Sequence, residues 1–257
     1  MTVLLQCAAY LDDLLATREV PDYDQAINGL QLANDGTVTR IAAAVDFSRE
    51  SVEHAVRLGA DFLLVHHGMF WGEPRPILGA RYERLRAAIA GNLAVYASHL
   101  PLDLHPEFGN NSRLARRLEL TPDRRFGRFQ SIEIGVSGAD DLATDELLAR
   151  VRAFAEPLGT HVVCSAHDPD RRTRRWAIVT GAGASSETLA EAVERGIDTL
   201  IVGEGPHHTA VEARDSALVV IYAGHYATET LGVQALATEL GHAFEVPWSF
   251  LHLPTGL

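Results

Sequence analysis

The sequence contains no lysine, so all 22 of its basic residues are arginine. Chemistry that needs an amine is thereby excluded: the Walker A loop, Schiff-base catalysis and pyridoxal phosphate anchoring. Cysteine is nearly as scarce, with only Cys7 and Cys164. Two cysteines build neither a disulfide framework nor a cysteine-rich zinc site, and both are expected as buried structural thiols in a reducing, cytoplasmic setting. No stretch of ~20 apolar residues is present to span a membrane. The N-terminus "MTVLLQCAAYLDDLLA" lacks a basic leader and carries Asp12 and Asp13 within its one apolar run, so no signal peptide is expected. Positive charge is also short, giving a formal net charge of -12. That balance makes nucleic acid an improbable partner and leaves a small molecule as the expected one.

The 257 residues, 47% of them hydrophobic, suffice for a sizeable core in one large domain or two small ones. Short β-branched runs alternate with helical patterns, the signature of an α/β fold with largely parallel sheets. "RIAAAVDF", "DFLLVHH", "LAVYASH", "WAIVTGAG", "TLIVGEG" and "LVVIYAGH" read as strands. "RESVEHAVRLG", "YERLRAAIAG", "SSETLAEAVERG", "TAVEARDS" and "TETLGVQALATELG" read as helices. The stretch 125–175 reads differently, as strand, helix, strand and a basic turn "DPDRRTRRW". Three segments are therefore expected: a first α/β half over 1–124, a middle lobe over 125–175 and a second α/β half over 176–257.

The two halves look like copies. "ESVEHAVRLGADFLLVHHG" (Glu50 to Gly68) aligns without gaps on "ETLAEAVERGIDTLIVGEG" (Glu187 to Gly205). "LAVYASHLPLD" then overlies "LVVIYAGHYATE", so each half delivers a histidine and a carboxylate four residues apart at a strand's end: His99 with Asp103, His225 with Glu229. His66 and His67 end another strand, and Glu204 occupies the repeat position of His67. In open α/β sheets, ligand sites gather outside the carboxyl ends of strands. Imidazoles and carboxylates together suit Zn, Fe, Mn, Co or Ni better than Ca or Mg. His66, His67, Asp103, His225 and Glu229 supply five ligands, which two ions sharing a carboxylate would use economically. Taken singly, these residues could instead cap loops or sit as helix N-terminal acids. Because successive strand residues point to opposite faces, His66 and His67 are expected to share a site only where the strand breaks into a loop, at Gly68. His207 and His208 of "GEGPHH" could face the same cleft or cap the next helix. His54, His161, His167, His242 and His252 have no carboxylate at ligand spacing and are expected to be structural.

The motifs "NGLQ", "HHGMFW", "SHLPLDLHPEFGNN", "GEGPHH" and "GHYATE", in that order, closely resemble the dinuclear-metal-centre hexamers known as GTP cyclohydrolase 1 type 2 homologues or Nif-three-like proteins. The resemblance runs from Asn28 to Glu229. It implies that His66, His67, Asp103, His225 and Glu229 hold two divalent transition ions, and that two-lobed α/β subunits form a toroidal hexamer with the ions facing its interior. "HHG" stands where the family more often has His-His-Pro, and "SHLPLD" where it often has His-Thr-Asn-Leu-Asp; neither departure changes a ligand. The implied activity is that of a metal-dependent hydrolase using a metal-activated water. His99 and Glu204 are expected as proton shuttles or supports of the ligands. The rival expectation is a non-catalytic metal carrier or regulatory ring. The arginines of the basic turn, Arg171 to Arg175, could grip phosphates or simply be solvated.

Overall fold

The computed structural model describes residues 1–71, 75–166 and 168–257, so His167 lies outside the described residues. In chain order the elements are α1 (Val3–Leu14), β1 (Gly29–Leu32), β2 (Ile41–Asp46), α2 (Arg49–Leu58), β3 (Phe62–His67), α3 (Ala80–Ala90), β4 (Ala94–Ala97), α4 (Leu100–Leu104) and α5 (Asn110–Arg117). There follow β5 (Arg124–Phe129), β6 (Ile132–Ala143), α6 (Thr144–Ala155), β7 (Val163–Cys164), β8 (Arg172–Val179), α7 (Ser186–Glu194), β9 (Thr199–Val202), α8 (His207–Asp215), β10 (Val219–Tyr222), α9 (His225–Phe244) and β11 (Trp248–Phe250). Two compact units emerge, Met1–Leu102 with Gly232–Leu253, and Asp103–Leu231 with Pro254–Leu257. The stretch 125–175 falls within the second.

The first unit holds a five-stranded sheet in the order β1-β4-β3-β2-β11. Strands β11, β2, β3 and β4 run parallel, and β1 is antiparallel to β4. One face, with Ala42, Ala44, Leu63, Val65, Val95 and Ala97, packs with Val52 and Ala55 of α2 and Ala88 of α3. The alternate residues Ile41, Ala43, Phe62, Leu64 and Tyr96 are equally buried, as expected for parallel strands covered on both faces. Cys7 of α1 is fully buried, and burial pushes its thiol up to about 11, so it serves as a packing residue.

The second unit holds a six-stranded sheet in the order β5-β6-β8-β9-β10-β7. Its odd and even positions feed separate cores: Trp176, Ile178, Ile201, Val219 and Ile221 on one side, Ala177, Val179, Leu200, Val202 and Val220 on the other. Only β8, β9 and β10 are mutually parallel; β5-β6, β6-β8 and β10-β7 are antiparallel. The first sheet is thus mostly parallel, as expected, and the second is mixed. The two residues between β5 and β6 allow only an antiparallel hairpin, since a parallel return needs a long crossover.

The repeated helix-strand units take matching local form. Ser48 closes a capping box with Ser51 at the start of α2, and Gly59 ends it at φ +72°. Ser185 accepts from the Thr188 N–H at the start of α7, and Gly196 follows at φ +67°. Both glycines occupy the left-handed conformation that stops a helix at low cost. The expected basic turn is corrected in part: β8 begins at Arg172, inside it. Arg172 pairs with Asp141 there, and the Arg174 and Arg175 backbone N–H groups donate to Asp198, so these residues open an interior strand of the second sheet.

Gly68 is required for space rather than for a left-handed turn. A Cβ there would meet the Gln31 amide at 2.4 Å and the Ala97 Cβ at 2.6 Å. Gln31 in turn accepts from the Met69 N–H at 2.6 Å. Gly68→Ala is expected to destabilise the fold by roughly 1–3 kcal/mol through overpacking. Chemical denaturation checks this, and an unchanged midpoint would contradict it.

Candidate metal centre

In the first unit the ladder between β3 and β4 stops at Val65 opposite Ala97, while β2 continues to pair as far as Asp46 opposite His67. His66 and His67 therefore both stay within β3, at its carboxyl end, contrary to the expected break. Even so, their ring centroids lie 4.8 Å apart, and the ring of His99 lies 4.9 Å from His66 and 5.6 Å from His67. One ligating nitrogen from each of the three falls within 4.8 Å of the others. His99, expected as a helper, thus sits among groups able to bind an ion.

Each imidazole is oriented through Nδ1. His66 Nδ1 is 2.8 Å from the Ser98 carbonyl, His67 Nδ1 2.9 Å from Asp46 Oδ1, and His99 Nδ1 2.8 Å from Asp22 Oδ1. A carbonyl or carboxylate oxygen only accepts, so Nδ1 carries the proton and the Nε2 lone pair faces outward, the tautomer that a metal ligand needs. Asp22 is itself fixed by the Asn28 amide and the Leu100 N–H, and Asn28 accepts from the His99 N–H at 2.7 Å. Burial would raise the Asp22 pKa, but His99, Asn28 and the Tyr23 N–H together hold it below the usual carboxylate value.

In the second unit, three strand ends converge on α9. His225 is its first residue and Glu229 lies one turn on, with His225 Nε2 3.1 Å from Glu229 Oε2. His225 Nδ1 is 2.8 Å from Glu204 Oε1, just beyond β9, repeating the arrangement of the other three imidazoles. Gly181, beyond β8, has φ +63°, and a Cβ there would lie 2.1 Å from Glu229 Oε1. The missing side chain is thus the space that the carboxylate fills. Asp103, at the end of α4, is buried and accepts from the Asn110 amide at 2.8 Å. Asn111 fastens the neighbouring backbone, accepting from the Thr180 N–H and donating to the Ile134 carbonyl.

Three imidazoles in one unit, and an imidazole with buried carboxylates in the other, are donor sets suited to borderline transition ions. Among the described residues, the remaining histidines do not join either set. His207 and His208 are exposed at the start of α8, and His54 lies 4.0 Å from Glu50 on the surface of α2. The sequence reading missed Asp22, Asp46, the Ser98 carbonyl and Gly181. Asp46 closes "RIAAAVDF" and Gly181 sits in "WAIVTGAG", both at strand ends where site residues gather; Asp22 follows Pro21 in an aperiodic stretch and gives no signal.

Burial alone would lower the His225 pKa, but Glu229 and Glu204 on its two nitrogens raise it to about 9. In metal-free protein these pairs therefore contribute stability in full below the unfolded histidine value of about 6.5, and lose it as pH rises through the folded value. A histidine ring resonance assigned to His225 is expected to titrate near 9 and to shift down in Glu204→Gln. A midpoint at the ordinary histidine value would contradict the double pairing.

Residues 4–254 match the Duf34/NIF3 (NGG1p interacting factor 3) family. A "GTP cyclohydrolase 1 type 2 homolog" of Deinococcus radiodurans is 42% identical over 237 residues, 91% of this chain and 88% of that protein. Another of that name, from Halobacterium salinarum, is 42% identical over 241 residues, 93% of this chain and 94% of that one. Among solved structures, protein ybgI, of unknown function, superposes with a TM-score of 0.89 at 32% identity, and a Thermus thermophilus protein with 0.85 at 36%, each over 100% of both chains. With its strand-end imidazoles and a match over nearly its whole length, the chain belongs to the Duf34/NIF3 family.

Proposed function

We propose that the two sets of side chains act together as one dinuclear centre, with His66, His67, Asp103, His225 and Glu229 as the ligands of two divalent transition ions. The observation that carries this reading is the repeated Nδ1-to-oxygen bond, which leaves the Nε2 atoms of His66 and His67 as acceptors and would leave that of His225 as one once an ion displaces the proton it shares with Glu229. The cradle that Gly181 leaves for the buried Glu229 carboxylate supports it. The ligands come from 1–124 and 176–257, while 125–175 contributes none.

The activity this centre supports best is that of a metal-dependent hydrolase of the GTP cyclohydrolase 1 type 2 homologue kind, acting on a small molecule in the cytoplasm as a homohexameric ring. Bound there, the ions would supply the Lewis acidity that makes water a nucleophile near neutral pH. The protein's own groups then orient and move protons. His99, held by Asp22, presents Nε2 beside His66 and His67 and can take a proton there or serve as a further ligand. Glu204 holds the Nδ1 proton of His225 and so acts as a positioning residue for that ligand.

Protein purified without added metal or chelator is expected to contain about two transition ions per chain, and Glu229→Gln to lose most of at least one. Unchanged metal content in that variant would contradict a bridging carboxylate. Loaded with Mn, Fe, Co or Zn, the protein is expected to turn over GTP or a member of a phosphoester panel. Stoichiometric binding without turnover under any of these conditions would make it a non-catalytic metal-binding ring instead.

A further inference from the structure

The first unit carries a cavity of about 370 Å³ that shares a wall with the three-histidine cluster. Ligand sites for small molecules occupy roughly 300–1,000 Å³. Trp71 is the shared wall: it lines the cavity, and its ring lies 5.6 Å from that of His67 and 4.8 Å from that of His99. Phe70 and Phe47 supply further aromatic surface. Trp71 and Phe70 are 49% and 41% exposed, so flat apolar faces stand open to solvent beside a polar cluster.

The lining also carries cationic groups. In a chain of net charge -12, the described residues of the lining include Arg75, Arg81 and Arg84 against the one carboxylate of Asp24. Arg84 lies over the Phe47 ring, 4.7 Å from its centroid, and donates to the Phe47 carbonyl at 2.9 Å. Arg81 donates to the Arg75 carbonyl at 3.1 Å. Among the described residues neither guanidinium is in an ion pair, whereas Arg49, Arg86, Arg128, Arg150, Arg172 and Arg195 each sit beside a carboxylate. Burial, and then the neighbouring charge of Arg81, hold the Arg84 pKa below its usual value. Two neighbouring guanidinium groups without a carboxylate partner at a partly buried wall suit an oxyanion, which would relieve their mutual repulsion. Aromatic faces beside such a pair favour a planar ring on the same molecule.

We propose that this cavity binds a nucleotide-like ligand, its planar ring against Trp71 and Phe70 and its phosphate on Arg81 and Arg84. The proposal rests on the reading of the histidines as part of a metal centre, and it names the class of molecule presented to that centre. Asp24 and Gln25, on the same rim, offer acceptor and donor groups to the polar edge of the ring.

Calorimetric titration of the full-length, metal-containing protein with GMP, AMP and UMP, against guanosine and inorganic phosphate, tests it. At least one mononucleotide is expected to bind one site per chain at least tenfold more tightly than guanosine or phosphate alone. Arg81→Gln and Arg84→Gln are each expected to weaken that binding by roughly tenfold, the effect of one charge-assisted bond, with metal content unchanged. Arg81→Gln removes only a bond to an exposed carbonyl, so it keeps the test valid if Arg84→Gln fails to fold. Nucleotides binding no better than guanosine or phosphate would overturn the proposal, as would arginine variants that bind like the parent; a cavity closed by a second copy of the chain would give the first of these. Nucleotide binding by protein that never holds metal would sink the metal reading alone, and metal retained without nucleotide binding would sink this one alone.

Discussion

A single kind of bond, from the Nδ1–H of an imidazole to a fixed oxygen, sets the chemistry available to this chain. It occurs four times, on the Ser98 carbonyl, Asp46, Asp22 and Glu204. Each instance removes the ring's freedom to flip; in His66, His67 and His99 it also decides the tautomer, so that the second nitrogen becomes a directed acceptor, while in His225 the second nitrogen shares its proton with Glu229. A free histidine would have to give up rotamer entropy on binding an ion; these have lost it on folding. Three of the four acceptors are carboxylates, which also make the imidazole more basic and a stronger ligand.

The oxygens are where they are because of the sheets. Asp46 ends β2 beside His67 at the end of β3, and the Ser98 carbonyl follows β4. In the second unit Gly181, Glu204 and His225 follow β8, β9 and β10 in turn. Parallel strands send their carboxyl ends in one direction, so residues a few positions beyond neighbouring strands meet without any long-range design. The cost appears in glycines. Gly68 leaves room for Gln31, and Gly181 for Glu229, at distances no Cβ tolerates. Buried carboxylates at such places are tolerable only with donors or ions around them.

Much of this was legible in the sequence. The six strands read from apolar runs lie where the structure has β2, β3, β4, β8, β9 and β10, because central strands must be apolar on both faces. The repeat located the strand ends and through them His66, His67, His99, Glu204 and His225. What the sequence hid were features decided by partners rather than by pattern. Strand β11 is three residues long and exists by pairing with β2. The antiparallel β5-β6 pairing in the second sheet follows from a two-residue hairpin. Asp22 lies in an aperiodic loop, and only its 2.8 Å bond to His99 marks it. The histidine pair also defied a simple face argument: alternation separates neighbours along a strand, yet past the last β4 pairing the two rings lie close together.

Which nitrogen each histidine offers is the central claim. Crystals of the protein grown with Zn, recorded across the metal's absorption edge, would locate the ions and their ligands directly. The result expected is a pair of anomalous peaks, each bonded at about 2.0–2.1 Å to Nε2 of one or more of His66, His67 and His225, with every Nδ1 still on its oxygen. Ligation through Nδ1, with those oxygen bonds broken, or the absence of any peak at these imidazoles would contradict it.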